Sequence, residues 1–180
     1  MYNMFLYHGT KTIILKIDLE KSRLRTDFGK GFYLSSKLET ARNWAIEKPA
    51  IGSNVPTVMR YRVNKEIFGL STLSTLSFDV PSDSWLEFVK DNRHKGSSSK
   101  ASKEPRHNYD LVSGPIANDK VADVVDLYIK EKIDSCEAIK RMKALPNVLQ
   151  ISLHTEPALA QIESVSFSQF INKRWSNWQA

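Results

Sequence analysis

The sequence predicts an α+β fold, and three observations carry that expectation. Some short segments alternate apolar and polar residues with the period of a strand. In "TVMRYRVN", Val58, Arg60 and Arg62 interleave with Met59, Tyr61 and Val63. Other segments place apolar residues at helical spacing behind polar capping residues. The two kinds follow one another without the regular β-α-β alternation of a parallel sheet. A length of 180 residues, with 41% hydrophobic and 26% charged, suits one soluble domain spanning 1–180 with a sizeable core.

Taken in order, "NMFLYHGT" reads as a short buried strand, Met4 to Tyr7, that ends at a polar, glycine-containing corner. "KTIILKIDLEKSRLRTD" reads as a weakly structured connection. "GFYLSS" is a second strand. In "SKLETARNWAIEK", Ser36 is a candidate N-cap with Glu39 three residues on, and Leu38, Ala41, Trp44 and Ala45 share a helical face that Pro49 ends. After the strand around Tyr61, "LSTLSFDVP" is a weaker strand and "SDSWLEFVKDNR" a helix opened by a Ser/Asp cap. "HKGSSSKASKEPRHN" is Ser/Lys-rich and nearly devoid of apolar residues, so a mobile basic loop is expected at about 91–108. "YDLVSGPIAND" is a buried strand stopped by Gly114 and Pro115. Residues 119 to 144 are helical, in one piece or two, with Val121, Val124, Val125, Tyr128 and Ile129 on one face and then Ile133, Cys136, Ile139 and Met142. "NVLQISLHT" is a further strand, and "EPALAQIES" a helix capped by Thr155.

Composition narrows the function classes. Cys136 is the single cysteine, which excludes a disulfide framework and a cysteine-based zinc site; no metal is expected, and a reducing cytoplasm is the simplest home. No stretch approaches the roughly 18 apolar residues of a membrane span. "MYNMFLYHGT" lacks a basic n-region and a long apolar h-region, so no secretory signal is expected. The net charge of +6 favours an anionic partner without choosing one. Residues 91–107 hold five Lys/Arg against two Asp/Glu, a net of +3, and Lys11 to Arg25 add five more cations.

Three motifs carry the chemistry. They are His8-Gly9-Thr10 at the end of the first strand, "FGKGFYLSS" with Trp44 eleven residues beyond Tyr33, and "LQISLHTEPAL" near the C-terminus. A glycine pair before Tyr33 is by itself weak evidence, equally suited to a tight turn or to the rim of a pocket.

As an ordered set these motifs resemble the ADP-ribosyltransferase fold, in the branch shared by poly(ADP-ribose) polymerases and diphtheria-type toxins. That branch has an H-G-[S/T] motif, a G-x-G-[I/F]-Y strand and a glutamate opening a late strand. With "WLEFVKDNR" and "YDLVSGPIANDKV", the wider pattern is similar to a bacterial family of small ADP-ribosyltransferase-like proteins regarded as toxins of toxin–antitoxin pairs. The resemblance implies two packed, mostly antiparallel sheets around an NAD cleft with flanking helices. NAD would be the substrate, His8, Tyr33 and Gln150 the catalytic set, and His8, Gly9, Thr10, Gly31, Tyr33 and Trp44 the NAD contacts. A cognate antitoxin and a macromolecular acceptor are the implied partners.

The residue types suit those roles. Nicotinamide is flat and electron-poor, so Tyr33 and Trp44 are expected as opposite walls of a slot. The Gly9 backbone can meet the nicotinamide amide, and His8 and Thr10 can bond ribose hydroxyls. Gln150 departs from the family glutamate, since an amide keeps the acceptor but has neither charge nor basicity. That favours single ADP-ribose transfer over polymer synthesis. Glu156 reads as a first-turn acid behind the Thr155 cap, and His94, His107 and His154 as structural or surface residues.

Three classes stay open: a mono-ADP-ribosyltransferase, with RNA or DNA slightly favoured over protein as acceptor; an NAD glycohydrolase; and a non-catalytic NAD-binding module. An RNA 2′-phosphotransferase is disfavoured, because the paired His and Arg motifs it needs are not evident.

Overall fold

The computed structural model describes residues 3–47, 54–93, 107–116, 119–143 and 148–180. Their strands are β1 (Asn3–Thr10), β2 (Phe32–Ser35), β3 (Thr57–Asn64), β4 (Thr75–Ser77), β5 (Leu111–Pro115), β6 (Leu149–Leu153), β7 (Ile162–Ile171) and β8 (Arg174–Trp175). The helices are α1 (Leu38–Glu47), α2 (Asp83–Arg93), α3 (Asp119–Ile129), α4 (Ser135–Lys143) and the single turn α5 (Glu156–Leu159). The helical region after residue 119 is thus two helices.

The strands form one sheet in the order β4-β5-β6-β2-β1-β3-β7-β8. Only β4 and β5 pair in parallel; the other neighbours are antiparallel. This corrects the expectation of two packed sheets. The reason lies at the centre, where β1 and β2 join the two halves through a single ladder pair, Tyr7↔Ser35. By contrast β1 pairs with β3 from Asn3↔Asn64 to Thr10↔Thr57.

Strand alternation sends side chains to two cores. Leu6, Phe32, Leu34, Met59, Tyr61, Val63, Leu111, Ile151 and Leu153 fill one face. There they are joined by Ile13, Ile14 and Ile17 of the connection before β2. On the other face Phe28, Val112 and half-buried Tyr33 pack under Trp85, Leu86 and Val89 of α2, Val121, Val124 and Val125 of α3, and Ala138 and Met142 of α4. Each fully buried Val, Leu, Ile, Phe or Met among them contributes about 1.5–3 kcal/mol relative to exposure. Cys136, expected on the buried face, is exposed.

A third cluster sits beside these. Ala41 and Ala45 of α1 press Val58 of β3, under Tyr7, Trp175 and Trp178. Gly9 lets this helix approach, because a Cβ there would collide with the Ala41 carbonyl oxygen.

Several local readings change. Ser36 does not cap α1 with its hydroxyl, which donates instead to the Leu149 carbonyl; the Lys37 amide bonds Ser35 Oγ. Ser82 does cap α2, accepting from Trp85 N at 3.2 Å. Thr155 caps α5 as expected, but the helix is four residues long. Ile162 to Ser164, included in the expected helix, already belong to β7. The β7–β8 turn is Asn172-Lys173, both at positive φ (51° and 61°), a two-residue hairpin turn matched to strand twist. Of the expected mobile loop, residues 91–93 belong to α2, His107 is hydrogen-bonded, and 94–106 lie outside the described residues. So does Pro49.

Candidate functional site

Residues expected to act together stand on three neighbouring strands: His8, Gly9 and Thr10 on β1, Tyr33 on β2, and Gln150 on β6. β2 and β6 pair through Tyr33↔Ser152 and Ser35↔Gln150, which puts Tyr33 and Gln150 on one face. Counting on from Tyr7↔Ser35, Gly9 stands level with Tyr33 across the seam. Beyond that pair the ladder gives way to a side chain. His8 Nδ1 donates to the Tyr33 carbonyl at 2.7 Å, while the imidazole stacks on Phe32 with centroids 4.5 Å apart. A carbonyl only accepts, so Nδ1 carries a proton. Thr10 is buried at the end of the same strand.

The turn before β2 explains both glycines of "FGKG". Gly29 takes φ 81°, a region that favours glycine, as its amide closes a turn onto Thr26 O. Gly31 makes room for His154, whose ring atoms would lie 2.7 and 2.8 Å from a Cβ at that position. The Tyr33 hydroxyl fastens the turn from inside. It accepts from Thr26 Oγ1 (2.8 Å) and Phe28 N (2.9 Å) and donates to Gly29 O (2.7 Å). Burial pushes its phenol well above the ordinary tyrosine value.

Trp44 does not pack directly on Tyr33. It is half-buried on α1, and among the described residues the two rings make no contact. The ring beside Tyr33 is buried Phe28, 6.4 Å away and nearly parallel. The 31–44 segment turns from strand to helix between these positions, so the interval in sequence does not fix the relation of the two faces.

Gln150 is 3% exposed, and its side-chain nitrogen donates to Asp27 Oδ2 (2.9 Å) and Pro115 O (3.2 Å). Asp27 in turn holds Arg93, which donates to Oδ1 from Nε (2.9 Å) and Nη2 (2.5 Å). Alongside runs a second polar chain. The Ser152 hydroxyl lies 2.8 Å from His154 Nε2, and His154 Nδ1 donates to Lys30 O at 2.8 Å. His107 meets His154 edge-to-face at 4.6 Å and donates from Nε2 to Phe28 O. Burial drives both imidazoles toward the neutral form, His154 down to about 4. Ser152 has no exposed surface, so this Ser–His contact positions the turn and offers no nucleophile.

Asp27, Arg93 and Ser152 surround the site without having been singled out in the sequence, whereas His107 and His154, expected as structural or surface residues, are structural and bond the turn before β2. Asp27 directly precedes the quoted glycine motif, which was the available signal. The others come from α2, the approach to β5, and β6, and only tertiary pairing brings them together. Beyond Gln150, at the end of β4, β5 and β6, lies a half-open pocket of about 340 Å³ bordered by Phe78, Ser113, Pro115 and Leu149.

A mixed α+β domain with a polar cluster on its central strands is the class that fold and site define. The chain belongs to DUF3990, a family of proteins of unknown function, whose model matches residues 4–164. No curated protein and no solved structure matches the chain significantly.

Proposed function

We propose that this protein is an NAD-dependent mono-ADP-ribosyltransferase, acting on a macromolecular acceptor. The observation that carries the reading is the convergence of three motifs far apart in sequence. His8, Tyr33 and Gln150 lie on adjacent strands, and Gly9 is level with Tyr33 at the one-pair seam.

In this reading the nicotinamide ring lies against Tyr33 beside Gly9, and Gln150 turns its carbonyl oxygen to the nicotinamide ribose. The bond from ribose C1′ to the pyridinium nitrogen breaks, nicotinamide leaves with the bonding pair, and the acceptor's nucleophile bonds C1′ and gives up its proton. Gln150 supplies a dipole at the developing oxocarbenium charge but cannot take that proton, which fits one transfer rather than chain growth. Tyr33 enters as one wall, its ring angle set by three hydrogen bonds at its hydroxyl.

A nucleic-acid acceptor is favoured by charge and by an arginine-aromatic surface. Arg60 lies 4.8 Å from the Phe5 ring and 4.6 Å from that of Trp178, and Arg42 lies 5.3 Å from Trp175. Such pairings suit phosphates and bases together. The resemblance extends the reading to a bacterial toxin restrained by an antitoxin.

The test is incubation with NAD labelled in its adenylate half and a whole lysate, separated into nucleic-acid and protein fractions. Label in nucleic acid with matching nicotinamide release is the expected result. Nicotinamide release without labelled macromolecule identifies a glycohydrolase, and no release at all leaves a binding module.

A further inference from the structure

Gln150 is oriented by a carboxylate. Its side-chain nitrogen has two neighbours, Asp27 Oδ2 and the Pro115 carbonyl, and both can only accept. That end of the side chain must therefore be the NH₂ group, and Oε1 faces the other way. Asp27 cannot easily turn aside, because its second oxygen is gripped twice by Arg93 of α2. Arg93 reaches on to Asp126 of α3 at 3.4 Å. Asp27 and Gln150 are 8% and 3% exposed, so water screens this contact poorly.

We propose that Asp27, braced by Arg93, is a positioning residue that sets which way the Gln150 amide faces and excludes a carboxylate from position 150. The positioning role rests on the reading of Gln150 as the group facing the nicotinamide ribose; the exclusion of a carboxylate does not. A glutamate in this place would bring two carboxylates to hydrogen-bond distance, and they would have to share one proton. The glutamine is then the residue that an acidic neighbour demands. Restoring the family's glutamate requires changing residue 27 as well.

The sign of the pH effect follows. Beside Asp27, the carboxyl introduced by Gln150→Glu would titrate higher in the folded chain than in the unfolded one. The folded state would then hold a proton that the unfolded state has lost, and stability falls as pH rises. Among the described residues, the charged or titratable groups facing the pair are Arg93 from α2 and the Tyr33 phenol from β2, with Asp126 of α3 behind Arg93.

The experiment compares wild type, Asp27→Asn, Gln150→Glu and the double variant, by thermal melting at pH 5 and pH 8. Relative to wild type at the same pH, Gln150→Glu is expected to melt about 5–10 °C lower at pH 8 than it does at pH 5. The double variant should regain most of that loss, since an amide at position 27 can donate to the new carboxylate while its carbonyl accepts from Arg93. A Gln150→Glu protein as stable as wild type at pH 8, or a double variant no better than Gln150→Glu alone, overturns the proposal. Should Gln150→Glu fail to fold at pH 8, the double variant decides in the same way.

Nicotinamide release is measured separately on the folded variants. Asp27→Asn should lower kcat by ~10²-fold with little change in KM for NAD, as misorientation predicts. An unchanged kcat removes the positioning role. If wild type releases no nicotinamide, the transferase reading fails, while the melting comparison still judges the Asp27–Gln150 relation.

Discussion

His154 occupies the space that a side chain at residue 31 would need, its Nδ1 standing 2.7 Å from where a Gly31 Cβ would be. The imidazole cannot retreat without breaking its bond to Lys30 O or its contact with Ser152. Gly31→Ala is therefore expected to destabilise by about 2–3 kcal/mol through overpacking and a lost buried hydrogen bond. Gly29→Ala acts by another route, the cost of positive φ, and is expected at about 1–2 kcal/mol. Chemical denaturation of both variants, with equal m-values, checks the order.

Stability should fall on acidification below about pH 6.5. His154 is buried neutral and its folded value, about 4, lies below the ordinary histidine value. Between those values the unfolded chain binds a proton that the folded chain does not, so stability present above pH 6.5 is lost as pH falls toward 4. The contribution is on the order of 3 kcal/mol. Denaturant midpoints across this acid range should drop steeply for wild type and less for His154→Gln. Parallel slopes would rule out His154 as the titrating group.

Tyr33 separates stability from binding. Tyr33→Phe keeps the ring but removes the partner of the Phe28 amide, with an expected loss of about 1–3 kcal/mol. Under the proposed function its affinity for NAD should hold. Tyr33→Ala loses the face as well, and affinity should fall by about 1–3 kcal/mol, taking base–aromatic stacking as the guide. Calorimetric titration of both folded variants reads the difference.

Trp44 is the second test of the slot. It makes no ring contact with Tyr33, as two walls separated by a ligand ring need not. If it is the opposite wall, Trp44→Ala should lower NAD affinity by about 1–3 kcal/mol, as Tyr33→Ala does. Affinity within about threefold of wild type in the folded variant would remove Trp44 from the site.

Strands whose alternation faces one or two cores are readable in the sequence. The β3 pattern of Met59, Tyr61 and Val63 against Arg60 and Arg62 is borne out by burial. β7 is hidden there, because Ile162 to Ser164 continue a capped helical pattern and the strand's serines give a weak apolar signal; its partner β3 imposes the extended form. The placement of His8, Tyr33 and Gln150 on one neighbourhood of strands is legible as three motifs. Their hydrogen bonds are not, since Asp27 and Gln150 lie 123 residues apart and meet only through the sheet. The glycines illustrate the same limit: sequence allows a turn or a close approach, and the turn has one of each.

The sheet ends in a three-residue strand on one side and a two-residue strand on the other. The long β7 beside the latter is further shielded where Phe167 bridges to Gln179 near the C-terminus. Among the described residues, the two terminal strands are short and β7 is paired on its outer side from Phe167 to Ile171, so these stretches offer little template for strand addition by a second chain. Recognition of a macromolecule through side chains, across a face or along a loop, is the expectation this sets, and mutations that alter the choice of partner are expected there rather than along these short rims.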